Sequence, residues 1–461
     1  MATIALSHDE QTIIAQCTPI GSGALALLRI SGADAITIAD QFGRLASGIP
    51  LRSVTSHTVH YGSVVDDQEN IIDHVMFIIM HAPRTFTGQN VVEITTHNNQ
   101  FIIEAIINRA IQQGARLAQQ GEFSRRAVLQ GKIDLLQAEA IHELIGANTQ
   151  LALKKSLAQL DGSFSQWIQS IEKQLLHALA LSEASFEFID EENMTFSAQI
   201  TDLINAILAT ITQLKDTFNQ QLHIRQGIRI ALIGSVNAGK SSLFNALLKK
   251  DRAIVTNIAG TTRDTIEAGV YKNNNYWTLI DTAGLRNTDD IIEQQGIEKS
   301  YQEAIAADII LLVIDGSRPM SVQEQTIYHA LFSQHKQKTI IIRNKSDLEQ
   351  AALTFPAEEM IESSHSNSIS IDAIHKALEQ KIIILLQQLE SPFLLNQRQY
   401  NLLTDVEQKL CALLPLLTTH PDYEIISYHL TDTLALLSEL TGKSISEAGM
   451  DAVFRNFCVG K

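Results

Sequence analysis

Hydrophobic positions change their period three times along this chain. Up to about residue 120, the short apolar runs Ala24–Ile30 and Val75–Met80 and the β-branched run Val91–Thr95 are punctuated by Gly21, Gly23, Gly32, Gly62 and Gly88. That pattern predicts strands joined by turns, with helical interludes. Phe101–Gln113 fits a helix stopped by Gly114. From Glu122 to about Leu222 glycine and proline become scarce. Leu160, Phe164, Trp167, Ile168, Ile171, Leu175 and Leu179 step by three and four, the apolar stripe of a long helix. From Ile228 the pattern alternates again. Arg229–Ile233, Trp277–Ile280, Ile309–Ile314 and Thr339–Ile342 read as buried strands separated by helical stretches, which predicts a parallel α/β sheet. After Ile371 helical periodicity returns, with breaks at Pro392 and Pro421. The order predicts an α/β block inserted into a helical one, with no internal repeats.

A length of 461 residues suggests about three domains. Hydrophobic content of 45% and charged content of 19% exclude a mainly disordered chain. With 51 acidic and 35 basic residues the net charge is −16, which excludes a broadly basic nucleic-acid coat but not a local basic groove. The densest basic spots, Lys249–Arg252 and Arg125–Arg126, fit solvated faces better than nucleic-acid contacts. Cys17, Cys411 and Cys458 lie far apart and form no disulfide framework, which points to a reducing compartment. Met1–Glu10 lacks a signal-peptide pattern and no apolar run is long enough to span a bilayer. The expectation is a cytoplasmic protein that does not enter the membrane.

Four motifs carry chemistry. Gly234, Ser235, Val236, Asn237, Ala238, Gly239, Lys240 and Ser241 fit the phosphate-binding loop G-x-x-x-x-G-K-S, after a predicted strand and before a helix that opens with Ser242. Such a loop wraps phosphate oxygens in backbone amides at a helix N-terminus. Lys240 would reach the β- and γ-phosphates and Ser241 would ligate Mg2+. Asp281, Thr282, Ala283 and Gly284 follow the next buried strand, where the Asp suits the second shell of Mg2+ and the Gly amide suits a γ-phosphate. Asn344, Lys345, Ser346 and Asp347 form the guanine clamp N-K-x-D. A carboxylate there accepts from both guanine donors but faces an acceptor on adenine, so it selects GTP. Thr261 and Thr262 lie where a switch loop belongs, and Thr262 could ligate Mg2+. The residue after Gly284 is Leu285, which cannot orient water as the glutamine of Ras-type enzymes does. Glu293 is the candidate for that task, against the alternative of a solvated acidic loop at Asp289–Glu293. His57 and His60 have H-x-x-H spacing without a third ligand and read as surface or strand residues.

Together these residues resemble the potassium-dependent tRNA-modifying GTPase family called MnmE or TrmE, along nearly the whole chain. Outside the GTPase motifs the likeness rests on Cys17–Gly32, on Ala82–Gly88 with Glu93, on Gly121–Ala127 and Lys132–Glu139, and on the terminus Phe457, Cys458, Val459, Gly460, Lys461. The resemblance implies an α+β tetrahydrofolate-binding-like and dimerisation domain at 1–121. It also implies helical segments at 122–222 and 379–461 and a P-loop GTPase domain at 223–378 inserted between them. It implies a homodimer that acts with the FAD-dependent partner MnmG (GidA) on C5 of the wobble uridine of certain tRNAs. The one-carbon donor would be 5,10-methylene- or 5-formyl-tetrahydrofolate, and GTP hydrolysis would be stimulated when two GTPase domains meet around K+.

Carried over by position, Arg29, Glu93, Lys132 and Lys461 match the folate contacts, chemistry that suits a glutamate tail and a pterin ring. Asn237, Thr256, Ile258 and Thr261 match the K+ site, Glu293 the water-orienting carboxylate, and Ser364, His365 and Ser366 the last guanine loop. Cys458 is either a packed small hydrophobe beside Phe454 and Phe457 or a thiol beside the one-carbon chemistry, with Lys461 favouring thiolate. Three segments depart from the family pattern. His-Gly-Gly is His97-Asn98-Asn99, where Asn could keep a positive-φ turn; the last guanine loop has lost both glycines; an Arg-His pair is Arg398-Gln399. The competing assignment is a ribosome-assembly GTPase that acts as an RNA-binding switch. That class usually appends a basic KH-type domain, and the helical C-terminal block lacks a G-x-x-G between basic residues.

Overall fold

Strand β1 (Ile13–Gln16) pairs with β2 (Leu25–Ser31), which pairs in turn with β6 (Val91–His97), and that ladder sets Arg29 opposite Glu93. The computed structural model describes residues 11–187, 196–218, 221, 227–250, 266–272, 275–281, 305–352, 360–364, 368–387, 392–418, 421–455, 457 and 459–460. These fall into two units, one of Met1–His142, Ala158–Leu208 and Asn401–Lys461 and the other of Glu143–Leu157 and Ala209–Tyr400.

In the first unit the remaining strands are β3 (Gly43–Leu45), β4 (Thr58–Val65), β5 (Ile71–Met80) and β7 (Arg116–Leu117). The seven-stranded sheet has the order β3-β4-β5-β6-β2-β1-β7, antiparallel except for β1 with β7. Alternation along the strands buries one face. Leu28 and Ile30 of β2, Phe77 and Ile79 of β5 and Val92 and Ile94 of β6 meet Ile38 and Phe42 of helix α1 (Ala35–Phe42) and Ile103 and Ile106 of helix α2 (Gln100–Gln112). Helix α2 starts where Asn99 caps it, its side chain accepting from Phe101 N at 3.0 Å. Asn99 is extended at φ −124°, and Asn98 has no positive φ either but donates to the Gly21 carbonyl at 2.7 Å. The His97–Asn99 turn therefore needs no left-handed residue, contrary to the sequence-based expectation.

Helices α3 (Glu122–Leu129), α4 (Leu135–Ile145), α5 (Gln150–Leu160), α6 (Ser163–Glu187) and α7 (Ser197–Asp216) follow. The stripe from Leu160 to Leu179 is thus two helices, because Gly162 turns the chain at φ +93° between α5 and α6.

The second unit is built on β8 (Ile228–Ile233), α8 (Lys240–Lys250), β9 (Ile266–Lys272), β10 (Asn275–Asp281), β11 (Ile309–Asp315), α9 (Val322–His335), β12 (Thr339–Asn344), β13 (Met360–Glu362) and α10 (Ser368–Gln387). Its six strands run in the order β13-β12-β11-β8-β10-β9. All pair in parallel except β9, which is antiparallel to β10 at one edge, so the sheet is mixed rather than purely parallel. Successive residues of β8 serve opposite cores. Ile230 and Leu232 pack with Leu243 and Phe244 of α8 and Ile374 and Leu378 of α10, whereas Ala231 and Ile233 pack with Tyr328 and Leu331 of α9. A sheet covered by helices on both faces is what continuous apolar strands require. Helix α10 runs past 378 and Ile382 still belongs to this core, so the α/β block extends beyond the boundary expected there.

The chain ends in helices α11 (Gln397–Leu413), α12 (Tyr423–Thr441) and α13 (Glu447–Phe454). Helix α12 lies along α6, where Ser182 donates to the Tyr423 carbonyl at 3.1 Å and Ser427 to Ser182 at 2.8 Å. Met450, Phe454 and Phe457 close a small core with Leu135 and Ala138 of α4.

Candidate nucleotide site

The carboxyl ends of β8, β10, β11 and β12 carry the P-loop, Asp281, Asp315 and the Asn344–Asp347 loop, where ligands bind in open α/β sheets. The P-loop backbone is shaped for phosphate. Asn237 and Gly239 adopt left-handed conformations at φ +63° and +93°, and a Cβ on Gly239 would stand 2.1 Å from Nδ2 of Asn344. Asn344, buried, fills that place and donates to the Ala238 carbonyl at 2.8 Å, so the base-reading loop is fastened to the phosphate loop. Lys240 is buried and donates to the carbonyls of Gly234 and Ser235 at 2.6 and 2.8 Å, which holds its ammonium over the loop. Ser241 and Ser242 are exposed at the start of α8.

Asp347 is exposed at the rim, free to meet a base. Lys345 is left-handed at φ +62° and donates to Oδ2 of Asp315 at 2.7 Å. Burial pushes the Asp315 carboxyl up, but hydrogen bonds from Lys345 and Ser317 outweigh it and hold the group below the usual carboxylate range. Ser346 N donates to the Ser363 carbonyl at 3.0 Å and Ser363 N to the Arg343 carbonyl at 2.8 Å, which seats buried Ser364 beside the guanine clamp despite the lost glycines. Asp281 ends β10 beside β8, paired with Leu232. Thr256, Ile258, Thr261, Thr262, Thr282, Ala283, Gly284, Glu293, His365, Ser366, Cys458 and Lys461 lie outside the described residues.

A second set gathers in the first unit. Arg29 Nε donates to Oε1 of Glu93 at 2.7 Å and Arg29 Nη1 to the Gly460 carbonyl at 3.3 Å. The Cys17 thiol donates to the same carbonyl at 3.2 Å, and Val459 bridges to Gln120. The terminal segment thus reaches the Arg29–Glu93 pair. Lys132, exposed, donates instead to the Pro83 carbonyl, over the loop that Thr87 ties to Ser31 of β2 at 2.8 Å. His57 and His60 bond Ser56 and Thr58 at 2.8 and 2.7 Å, and no metal-binding group of three or more His, Cys, Asp or Glu occurs among the described residues.

Sequence reasoning passed over Ser235 as more than a loop residue, and over Asp315, Arg318, Glu324 and Tyr328, which surround it. The one available signal was Asp315 at the end of a strand read correctly.

A glycine-cornered phosphate loop fastened to an Asn-Lys-x-Asp clamp at the carboxyl edge of a doubly covered sheet defines a P-loop GTPase. Two family models extend this to the rest of the chain: GTP-binding protein TrmE N-terminus matches residues 12–132, and MnmE helical domain matches residues 135–458. The tRNA modification GTPase MnmE of Streptococcus thermophilus (strain CNRZ 1066) is 37% identical over 464 residues, 99% of this chain and 100% of the relative. That of Streptococcus pyogenes serotype M5 (strain Manfredo) is 37% identical over 466 residues, with the same coverage. Among solved structures, Aquifex aeolicus Era bound to GDP.AlF4- is 24% identical over 33% of this chain and 56% of its own, with a TM-score of 0.26. The chain belongs to the MnmE (TrmE) family of tRNA modification GTPases and is a GTP-hydrolysing enzyme of that family. No helix among the described residues is long and apolar enough to cross a membrane.

Proposed function

We propose that this protein hydrolyses GTP in an Mg2+-dependent, K+-stimulated cycle that serves modification of tRNA at C5 of the wobble uridine (U34). The observation that carries the GTP half is the Asn344–Ala238 bond, which makes base recognition and phosphate recognition one piece. Family membership carries the tRNA half. The donor set fits the metals: Ser241 offers an exposed hydroxyl and Asn237, exposed in a left-handed turn, offers a hard amide oxygen. Thr262 would join Ser241 on Mg2+, and Thr256, Ile258 and Thr261 would join Asn237 on K+. Bound there, K+ supplies the charge that an arginine finger supplies elsewhere. Lys240 draws the β- and γ-phosphates into the loop, and Glu293 orients the attacking water in place of the absent glutamine.

The modification half rests on the first unit. The Arg29–Glu93 pair, with Gly460 against it, offers a cation and a carboxylate side by side, the chemistry that a folate tail and pterin ring would engage. Lys132 and Lys461 would add cations, and a 5,10-methylene- or 5-formyl-tetrahydrofolate held there would supply the one-carbon unit. The working enzyme is then a cytoplasmic homodimer whose GTPase domains pair, with the FAD-dependent MnmG as partner. Its domains run over 1–121, over 122–222 with the helices that follow α10, and over 223 to the end of α10. Mass spectrometry of wobble uridines in a cell lacking this protein tests the assignment: loss of the modification is expected, and an unchanged wobble uridine rejects it.

A further inference from the structure

Beyond the motifs, both polar groups of Ser235, the second residue of the phosphate loop, are held from one side. Its amide donates to the Tyr328 hydroxyl at 2.6 Å, and its Oγ accepts from Nη2 of Arg318 at 3.1 Å. Neither partner is free to wander. Tyr328 is buried in the core beneath α9, and burial raises the pKa of its phenol. Arg318 is locked bidentately on Glu324, Nη1 to Oε2 at 2.9 Å and Nη2 to Oε1 at 2.5 Å. Glu324 in turn closes the capping box of α9, accepting from Ser321 N at 2.7 Å while Ser321 Oγ accepts from Glu324 N at 3.2 Å. Beside this array, Asp315 holds Lys345 of the guanine clamp on Oδ2, and the same oxygen lies 3.8 Å from Nε of Arg318. One carboxylate therefore stands between the cation that serves base recognition and the cation that braces the phosphate loop.

We propose that Tyr328 and Arg318 are positioning residues for nucleotide binding. They fix the Ser235 backbone, and with it the phosphate-facing amides of the loop, to the start of α9, and Asp315 extends the brace to the guanine clamp. A phosphate loop binds through amide directions, and a misplacement of about 1 Å can cost on the order of 10²-fold. A role in global stability alone does not account for Arg318. Its side chain is 42% exposed, and ion pairs that open contribute little to folding.

The inference rests on Gly234–Ser241 being a GTP site, and the test separates the two. GDP binding to the full chain is followed with a fluorescent GDP analogue, together with steady-state hydrolysis and melting temperature, for the unsubstituted protein, Tyr328→Phe, Arg318→Lys and Ser235→Ala. Tyr328→Phe strands a half-buried amide and should weaken GDP on the order of ten- to a hundredfold. Lysine at 318 can keep the pairing with Glu324 but cannot fork to Ser235 as well, so Arg318→Lys should weaken GDP about three- to tenfold at unchanged melting temperature. In both, KM should rise while kcat stays within about twofold, the mark of lost binding rather than lost chemistry. The losses of Arg318→Lys and Ser235→Ala should add only in part when combined, because both remove the Arg318–Ser235 bond. GDP affinity within twofold of the unsubstituted protein in both Arg318→Lys and Ser235→Ala overturns the inference, even if Tyr328→Phe fails to fold. Failure of the unsubstituted protein to bind GDP would instead remove the GTP site itself.

Discussion

Asn344 and Ala238 stand 106 residues apart in the chain and are joined by one hydrogen bond, from the Asn344 amide nitrogen to the Ala238 carbonyl at 2.8 Å. The bond exists because Gly239 has no Cβ: the amide occupies the space a side chain would take. Two motifs that look independent in sequence are one structural unit.

Gly239→Ala should therefore damage base recognition although it lies in the phosphate loop. Its Cβ would meet the Asn344 nitrogen at 2.1 Å in a backbone conformation at φ +93° that alanine resists. GTP affinity should fall by about 1–3 kcal/mol, and Asn344→Ala should give a similar loss that does not add to it. Calorimetric titration of the two single variants and the double variant decides the matter, and wild-type affinity in Gly239→Ala would refute the coupling.

Guanine selection should reside in Asp347. In Asp347→Asn one acceptor becomes a donor that faces guanine's own donors, so GTP should weaken by about 2–4 kcal/mol while xanthosine triphosphate gains. Equal GTP affinity in the variant would show that the exposed carboxylate does not read the base.

Hydrolysis should need K+ and should rise with the square of protein concentration when dilute. Leu285 supplies no group to orient water, and in the proposed cycle a cation at Asn237 and a second GTPase domain would make up the lost stabilisation. Glu293→Ala should cut turnover on the order of 10²- to 10³-fold and leave GTP affinity nearly intact. Identical rates in Na+ and K+ would end the cation assignment.

Acid should dissolve the brace around Glu324. The bidentate Arg318 guanidinium pulls this carboxyl down from 4.5 to about 2, against the opposing effect of burial. A depressed pKa gives stability that is complete above the unfolded value and is lost as pH falls through the folded one. The melting-temperature gap between the wild-type protein and Glu324→Gln should be steady near neutrality and close between pH 4.5 and about 2. Partial exposure of Arg318 limits the effect to roughly 1 kcal/mol. A gap that does not vary with pH would mean that Glu324 contributes by shape and not by charge.

Cys458→Ser should abolish wobble-uridine modification and spare both GTP hydrolysis and melting temperature. Serine keeps the size of the side chain and removes most of its nucleophilicity. Full modification by the purified variant would leave Cys458 a packing residue.

What the sequence disclosed follows from where the information is local. Strands β8, β11 and β12 are covered on both faces, so each is apolar over most of its length and was found within a residue or two. Strand β9, Ile266–Lys272, mixes polar and apolar residues because it is an antiparallel edge strand, and periodicity could not separate it from a loop. The P-loop and clamp were legible since each motif is contiguous. The brace on Ser235 was not, because Tyr328 lies 93 residues away and Arg318 lies 83, and only the sheet order brings them together. The Arg29–Glu93 pair was reached only through family likeness, since no pattern within either strand states the register that faces them.

The Gly460 carbonyl, which Cys17 and Arg29 share, has a consequence in time as well as in space. The Cys17 contact spans 443 residues. During synthesis the seven-stranded sheet can assemble early, yet the corner around Arg29 must wait until the ribosome has reached Gly460. At about 5–20 residues per second that is a delay of some tens of seconds. A nascent chain would therefore carry a folded sheet whose Arg29 corner stays open until Gly460 has been made and has folded back.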